Sequence, residues 1–561
     1  MKKSLLVAAL ALVSAGLSAQ QFTEKNSTAP LPIPAVGHEL HQPSAAVFPS
    51  PLYTNDVIIQ NAPTIDQRHV RISVAFNGWL YAAYTTVDSA NNSGGITIRS
   101  SKDNGITWYT VDSYSSPGYR YTALDIVVAG TDTVNLTLYL AGVNHNLTSG
   151  DYVLFVDRYE ATFGTFIGSN FNQSAGTRQI YDVALASDYR FPAVGCSPYG
   201  LGMVYSTYTS SQDSVNFIGS VDGGATWSVR QNIAVTGEYN RKVSLSYGKS
   251  LSGSNGRYFA AWERLPSSSA RTGNIYTSRS ASTVDGPWIT PVNVDSISST
   301  MIGLCANPQI ATSFGTTDND SGSVTAVILV QRDYTGNGSD YDLLGFYNKR
   351  AHYTDFWYRL DIVNNNENDL QPDVTYDPTN GNFLGVYYDS TNGRLPYLVN
   401  EVNLVNPSTW TTITPQYNDV TANLKAAWPR VEINPVVTQT AHAWIAEGSG
   451  TNGVAMFDAE YNITDVHNNA GLPRGGVIQT VYPSPAANQT TLNYLVYSES
   501  EVVINVYNAI GEVVERRTLG NKATGEYSEV FNVAEWSNGV YLIEVVCGGQ
   551  SKSTRLIVSH N

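Results

Sequence analysis

Ser101-Lys102-Asp103-Asn104-Gly105-Ile106-Thr107-Trp108 and Ser220-Val221-Asp222-Gly223-Gly224-Ala225-Thr226-Trp227 are the two stretches whose reading decides the fold. Both fit S-x-D-x-G-x-T-W, and each follows a strand-like run, ITIRS in the first case and NFIGS in the second. These residue types predict a hairpin loop. The Asp accepts nearby backbone N–H groups, the Gly takes a positive φ, and the Trp packs beneath the turn. Asp285-Gly286-Pro287-Trp288 reads as a degenerate third copy, while Trp357 and Trp410 stand at a similar late place in their own repeats.

Working outward from these loops, a longer pattern recurs seven times between about residue 65 and residue 468. The openings are HVRISVAF from His69, YTALDIVV from Tyr121, FPAVGCSP from Phe191, RKVSLSYG from Arg241, NPQIATSF from Asn307, QPDVTYDP from Gln371 and WPRVEINP from Trp428. Each is followed by a run rich in Tyr, Ala and Trp, such as WLYAAYTT or RYFAAWER. Aligned on Ile72, Leu124, Val194, Val243, Ile310, Val374 and Val431, successive openings lie 49 to 70 residues apart. That is the length of a four-stranded blade with variable loops, and such blades gain a core only by stacking radially. The expectation is an all-β chain with a β-propeller of about seven four-stranded blades, six being also compatible. Residues 50–62 (SPLYTNDVIIQNA) form a strand-like run ahead of the first repeat. A strand there that completes the last blade would pin the ends of the ring.

The two loops resemble the Asp-box repeats of sialidase-like β-propellers. The resemblance implies a structural role for Ser101, Asp103, Gly105, Thr107 and Trp108, and for Ser220, Asp222, Gly224, Thr226 and Trp227. In that family the box lies away from the active site, so Asp103 and Asp222 are not read as catalytic acids.

From about Val481 the text changes to short alternating runs, VVINVY, VVERRTL, VYLIEVV and TRLIVS, separated by polar turns. This predicts a small antiparallel β-sandwich. With Tyr482-Pro483-Ser484-Pro485-Ala486, Val506-Tyr507-Asn508 with Gly511, Asn538-Gly539-Val540-Tyr541 and the closing Leu556-Ile557-Val558, the tail resembles the C-terminal sorting domain of type IX secretion cargo of Bacteroidetes. Ser484 stands where that family usually has Asn. The motif residues carried over are Pro483, Pro485, Gly511, Gly539 and Tyr541. The resemblance implies a translocon and a sortase as partners. It also implies tail removal near Asn468-Asn469-Ala470-Gly471-Leu472-Pro473, and a product that is either anchored at the cell surface or released.

The first residues agree with export. Lys2 and Lys3 precede an apolar run from Leu5 to Val13, and Ser18-Ala19 reads as a cleavage site. The domain plan is therefore a signal peptide at 1–19, a Pro-rich lead-in at 20–49, the propeller at 50–468, a linker at 469–480 and the sorting domain at 481–561. No later stretch has transmembrane length. The chain has 32 Lys and Arg against 47 Asp and Glu, a net charge of −15, which disfavours nucleic acid and anionic lipid surfaces. Charged residues make up only 14% of the chain, about half the usual share, as expected for strands and turns without helix surface. The three cysteines, Cys196, Cys305 and Cys547, allow at most one pair, with Cys196 and Cys305 the pair to ask about. No cofactor is implied. The eight histidines show no zinc spacing, and Asp318-Asn319-Asp320-Ser321-Gly322 resembles the start of a calcium loop but lacks its last carboxylate.

Four residues before the aligned positions of the first three repeats stand Arg68, Arg120 and Arg190, with Tyr119 and Tyr189 preceding two of them. Equal register would bring their guanidinium groups to one rim of the channel. Arg71 and Arg430 share another register, one residue before the aligned position. Such a cluster suits a carboxylate, although blade-to-blade ion pairs would use the same residues. Sialidases hold the sugar carboxylate with an arginine triad, but the usual Arg-Ile-Pro is absent here. Arg71-Ile72-Ser73 lacks the proline, and neither a Tyr/Glu nucleophile pair nor a matching Asp acid is recognisable. Three functions remain: a surface-displayed module that binds glycans or proteins, a sialidase-like glycoside hydrolase, and a structural or adhesion component of the envelope. The first is the favoured reading.

Overall fold

The computed structural model describes most of Val57–His560. Residues 1–56, 131–135, 189–199, 250–255, 282–286, 296–302, 315–322, 401–409, 414–424, 435–438, 448–451, 461–475 and 497–499, with some single positions and pairs, fall outside it. The expected signal peptide and lead-in, Arg190, Cys196, the Asp318–Gly322 stretch and the expected cleavage segment therefore lie outside the described residues.

All named elements are β-strands, and the chain divides into two compact units, Met1–Glu460 and Tyr461–Asn561. The first unit holds seven four-stranded antiparallel sheets among the described residues. In chain order their inner strands are Asp66–Val74, Tyr119–Gly130, Gln179–Ser187, Tyr239–Gly248, Cys305–Thr312, Asp369–Asp377 and Lys425–Asn434. Each inner strand touches the next, and the last touches the first, so the ring closes with seven blades. Six openings were placed on the right strand. The third was not: the inner strand of blade 3 is QIYDVALAS, while FPAVGCSP lies outside the described residues. The strand is buried on both faces, so it reads as a nearly continuous apolar run without alternation.

Closure of the ring is made at one seam. Blade 7 has only three strands of its own, Lys425–Asn434, Gln439–Glu447 and Val454–Glu460. Val57–Ile58 supplies the fourth, pairing with Phe457 and Met456, and Ile59 N donates to Ala455 O at 3.0 Å. Gln67, fully buried, accepts from Ala455 N at 2.7 Å. Asn434 Nδ2 reaches across to Gly78 O at 2.9 Å.

The S-x-D-x-G-x-T-W loops fold as their residue types require. Ser101 Oγ donates to Asp103 Oδ1 at 2.7 Å and accepts from Gly105 N at 2.8 Å, and Asp103 also holds Thr107. The second copy repeats this with Ser220, Asp222, Gly224 and Thr226. Gly105 sits at φ 92°. A Cβ there would lie 1.8 Å from Phe457 of blade 7, so the loop of blade 1 is seated on the preceding blade. Trp108 packs edge-on against the same ring, with centroids 5.2 Å apart. Blade 3 does likewise: Gly223 O accepts from Tyr139 of blade 2 at 3.0 Å, and Trp227 meets Phe171. Trp288 of blade 4 meets Phe217 of blade 3, with centroids 4.9 Å apart, while Trp357 and Trp410 belong to clusters shared by blades 4 and 5 and by blades 5 and 6.

The second unit is a sandwich of a three-stranded sheet (Gly476–Tyr482, Gln489–Val496, Gly525–Asn532) and a four-stranded sheet (Val513–Lys522, Ser500–Tyr507, Gly539–Cys547, Gln550–Val558). Its first strand begins at Gly476, within the stretch expected as linker. Leu492, Tyr494, Ile504, Val506, Ile543 and Leu556 fill the core. Pro483 and Pro485 both follow cis peptide bonds, Gly511 turns at φ 84°, Gly539 opens a strand, and Tyr541 OH donates to Ser537 O at 2.8 Å. Cys305 and Cys547 are both buried, one in each unit.

Two outcomes follow. Deleting residues 57–60 exposes the Val454–Glu460 edge, so urea unfolding of the propeller moves to lower denaturant and amide exchange of that strand rises sharply. Gly105→Ala places a methyl group into Phe457 at a left-handed φ and lowers stability by about 2–4 kcal/mol in urea titrations.

Candidate ligand-binding site at the propeller channel

Every inner strand carries a β-bulge near its start. In five blades it includes a non-glycine residue at positive φ: His69, Lys242, Asn307, Gln371 and Trp428. Bulges re-aim side chains, and here they order the channel into tiers. The upper tier is His69, Ala123, Asp182, Lys242, Asn307, Gln371 and Trp428, and they line a cavity of about 40 Å³. Two residues further along each strand comes the tier Arg71, Asp125, Ala184, Ser244, Gln309, Asp373 and Arg430, which lines a cavity of about 140 Å³. First and third strands run the same way in each blade. The S-x-D-x-G-x-T-W loops therefore lie at the opposite end from the bulges.

An inner strand is a sheet edge, and its N–H groups need partners. Side chains of the preceding blade supply them. Asp125 Oδ2 accepts from Leu185 N at 2.7 Å, Ser244 Oγ from Ile310 N at 3.1 Å and Asp373 Oδ2 from Val431 N at 2.9 Å. One tier up, Glu263 Oε2 accepts from Asn307 N at 2.9 Å, Gln331 Oε1 from Gln371 N at 3.0 Å and Gln371 Oε1 from Trp428 N at 2.6 Å.

The two aspartates have a second task. Around the ring run Asp373, Arg430, Arg71 and Asp125, from blades 6, 7, 1 and 2. Arg430 Nη1 lies 3.5 Å from Asp373 Oδ1, and Arg71 Nε lies 3.4 Å from Asp125 Oδ1. Burial, and then Arg71, bring the Arg430 guanidinium down to about 10. Burial raises both aspartates, opposed chiefly by Arg71 at Asp125 and by Arg430 at Asp373. Above them, burial lowers Lys242 against the pull of Asp182 and Glu263, and raises Glu263 against the Asn307 N–H and Lys242. Burial together with the surrounding cations takes His69 down to about 3, which leaves it neutral. Lys242 Nζ sits 4.6 Å from the centre of the Trp428 ring, and Arg241 lies 4.4 Å from the Tyr181 ring.

Of the four singled-out arginines among the described residues, the structure brings together Arg71 and Arg430. Arg68 is exposed and paired with Asp66, its Nε donating at 2.7 Å. Arg120 donates to Tyr119 O and Asn92 Oδ1, each at 2.9 Å. Arg190 lies outside the described residues. The common register of Arg68 and Arg120 was an error of phase. In blade 2 the extra residue is Thr122, one position earlier than in blade 1, and the true equivalent of Arg71 is Asp125. The alignment on Leu124 thus placed Arg120 two residues away from the level of Arg68, about 7 Å along the strand. Asp125, Asp373, Asp182, Lys242, Glu263 and Trp428 were not singled out. The available signal was a charge at one register of otherwise apolar strands, and Asp373 stood at the register already noted for Arg71 and Arg430.

Residues 480–559 match the family model of the secretion system C-terminal sorting domain. The second unit is therefore a sorting domain, and the chain is exported cargo with a β-propeller. Among solved structures, the chain is similar to an α-L-arabinanase of Penicillium chrysogenum complexed with arabinobiose, at 15% identity and a TM-score of 0.40, over 73% of this chain and 98% of that one. It is also similar to a protein of unknown function from Dyadobacter fermentans, at 12% identity and a TM-score of 0.40, over 73% and 99%. A variant of the NanB sialidase from Streptococcus pneumoniae is similar at 12% identity and a TM-score of 0.38, over 74% and 71%. No curated protein matches the chain. No helix among the described residues is long and apolar enough to cross a membrane.

The ionic arc predicts a specific cost. Asp373→Asn keeps an oxygen for Val431 N–H and removes only the charge facing Arg430. It destabilises the propeller by about 3 kcal/mol or more in urea unfolding, whereas Arg68→Ala, on an exposed pair, changes it by under about 1 kcal/mol.

Proposed function

We propose that this protein is delivered through the type IX secretion system to the cell surface or the medium, and that its propeller is a binding module for glycans or proteins. One observation carries the reading. The channel is narrow and its converging arginines are already engaged by Asp125 and Asp373. Small-molecule pockets usually occupy about 300–1,000 Å³. Cavities of about 40 and 140 Å³ take a few waters and no sugar ring. A ligand therefore rests on the mouth and does not descend the channel.

At the mouth stand one indole ring (Trp428), two carboxamides (Asn307 and Gln371), one ammonium (Lys242) and one carboxylate (Asp182). An apolar face beside dense donors and acceptors suits a hydroxyl-rich ligand, and glycans are the favoured class. A sialidase-like hydrolase would need guanidinium groups available to a sugar carboxylate, and Arg71 and Arg430 are spent on the ring. The S-x-D-x-G-x-T-W loops act as structural Asp boxes at the far end.

Glycan-array binding by the purified surface form, weakened at least about tenfold by Trp428→Ala, is the expected result. Turnover across a panel of aryl-glycosides would establish the hydrolase instead. Binding that Trp428→Ala leaves untouched would move the site off the channel mouth.

A further inference from the structure

At the upper end of blade 6, two residues before Gln371, three carboxylates meet, with a fourth, Asp342, close by. Asp369 opens the inner strand, and Asp389 closes the second strand directly opposite it. Glu367 comes from the connection leading into the blade, and Asp342 lies near the start of the Tyr341–Asn348 strand of blade 5. One oxygen each from Glu367, Asp369 and Asp389 lie within 4.8 Å of one another. Two oxygens that ligate the same ion at about 2.4 Å can be no further apart than that. Asp369 and Asp389 are fully buried, and Asp342 is 1% exposed.

Arg394 engages Asp389 and also Glu367, the latter at 3.1 Å, and Arg332 faces Asp342. The three clustered carboxylates against the one guanidinium group of Arg394 leave two formal negative charges in a largely buried place. A buried charge without compensation is costly. A second observation is independent of this count. Asn365 holds one oxygen of Asp342 through its N–H at 2.9 Å and Asp369 Oδ2 through Nδ2 at 3.2 Å. The other oxygen of each, Asp342 Oδ2 and Asp369 Oδ1, is buried and receives no hydrogen bond. Asp342 is close enough to Asp369 to oppose its ionisation. Burial and the neighbouring Asp389, Asp342 and Glu367 push Asp369 up to about 8.

We propose that Glu367, Asp369 and Asp389 form a binding site for a calcium-class divalent cation at the upper rim of the channel, on blade 6 and the connection that leads into it. The donor set is all oxygen and all anionic, which selects a hard cation over zinc or copper. Two positive charges match the two uncompensated negative ones, and the orphan Oδ1 of Asp369 gains a ligand. The site uses no residue of the Asp318–Gly322 stretch, which lies outside the described residues.

The test uses the full chain stripped with a chelator and then titrated with calcium, magnesium or terbium. Calcium at about a hundred times its dissociation constant raises the melting temperature by about 3–5 °C, and magnesium by less. Terbium emission, sensitised by Tyr387 beside three of the carboxylates, saturates at one ion per chain. Asp369→Asn abolishes both responses while retaining the β-sheet circular dichroism. Should that variant fail to fold, Glu367→Gln, at a half-exposed position, weakens terbium binding at least about tenfold. Absence of calcium stabilisation and of stoichiometric terbium emission in the unsubstituted chain would overturn the site. Responses unchanged by both substitutions would overturn it equally.

Discussion

The inner strand of each propeller blade is a sheet edge facing a narrow channel, and the rest of this structure depends on how those edges are satisfied. A bare edge would leave buried N–H groups without partners or invite pairing with another chain. Here the answer comes from the neighbour: acidic and amide side chains of one blade accept the N–H groups of the next, from Asp125 to Leu185, Asp373 to Val431 and Glu263 to Asn307. The stitching runs in one direction around the ring, as does the seating of Trp108, Trp227 and Trp288 on the blade before each. Such a chain of dependencies holds only if it closes. Val57–Ile58, Gly105 and Asn434 all act at the seam between blade 7 and blade 1.

The same constraint decides what the channel can do. Carboxylates recruited to cap edge N–H groups are fixed in place, and in a medium with little water they need cations. Arg71 and Arg430 meet that need at Asp125 and Asp373. Guanidinium groups near a propeller axis are thereby explained by the architecture itself, without a ligand. The groups that remain at the mouth, Trp428 with Lys242 above its ring, Asn307 and Gln371, offer stacking and hydrogen bonding in place of charge.

Much of the fold was legible because turns and repeats leave residue-type signatures. Ser101 to Trp108 specify a loop through Ser101, Asp103, Gly105 and Thr107, and the Pro483 to Tyr541 landmarks mark the sorting domain. The residues 50–62 run suggested a closing strand, and Val57–Ile58 forms one. The site was less legible for a geometric reason. A bulge shifts register by one residue, and its position differs between blade 1 and blade 2. Leu124 and Ile126 are both apolar, and anchoring blade 2 on Leu124 in place of Ile126 joined Arg68 to Arg120 and parted Arg71 from Asp125. In blade 3 the proline of Phe191-Pro192 imitated Pro308, Pro372 and Pro429, which follow the left-handed residue of blades 5 to 7. The strand actually used, Gln179–Ser187, carries no such mark.

The central claim is that the channel arginines hold the ring and take no part in recognition. It is tested most directly by neutralising a pair without emptying it. The doubly substituted Arg430→Gln, Asp373→Asn protein, titrated calorimetrically with a glycan identified by array, is expected to bind within about twofold of the unsubstituted protein. A loss of tenfold or more, in a variant that remains folded at the temperature of the titration, would contradict the account and return Arg430 to the ligand site.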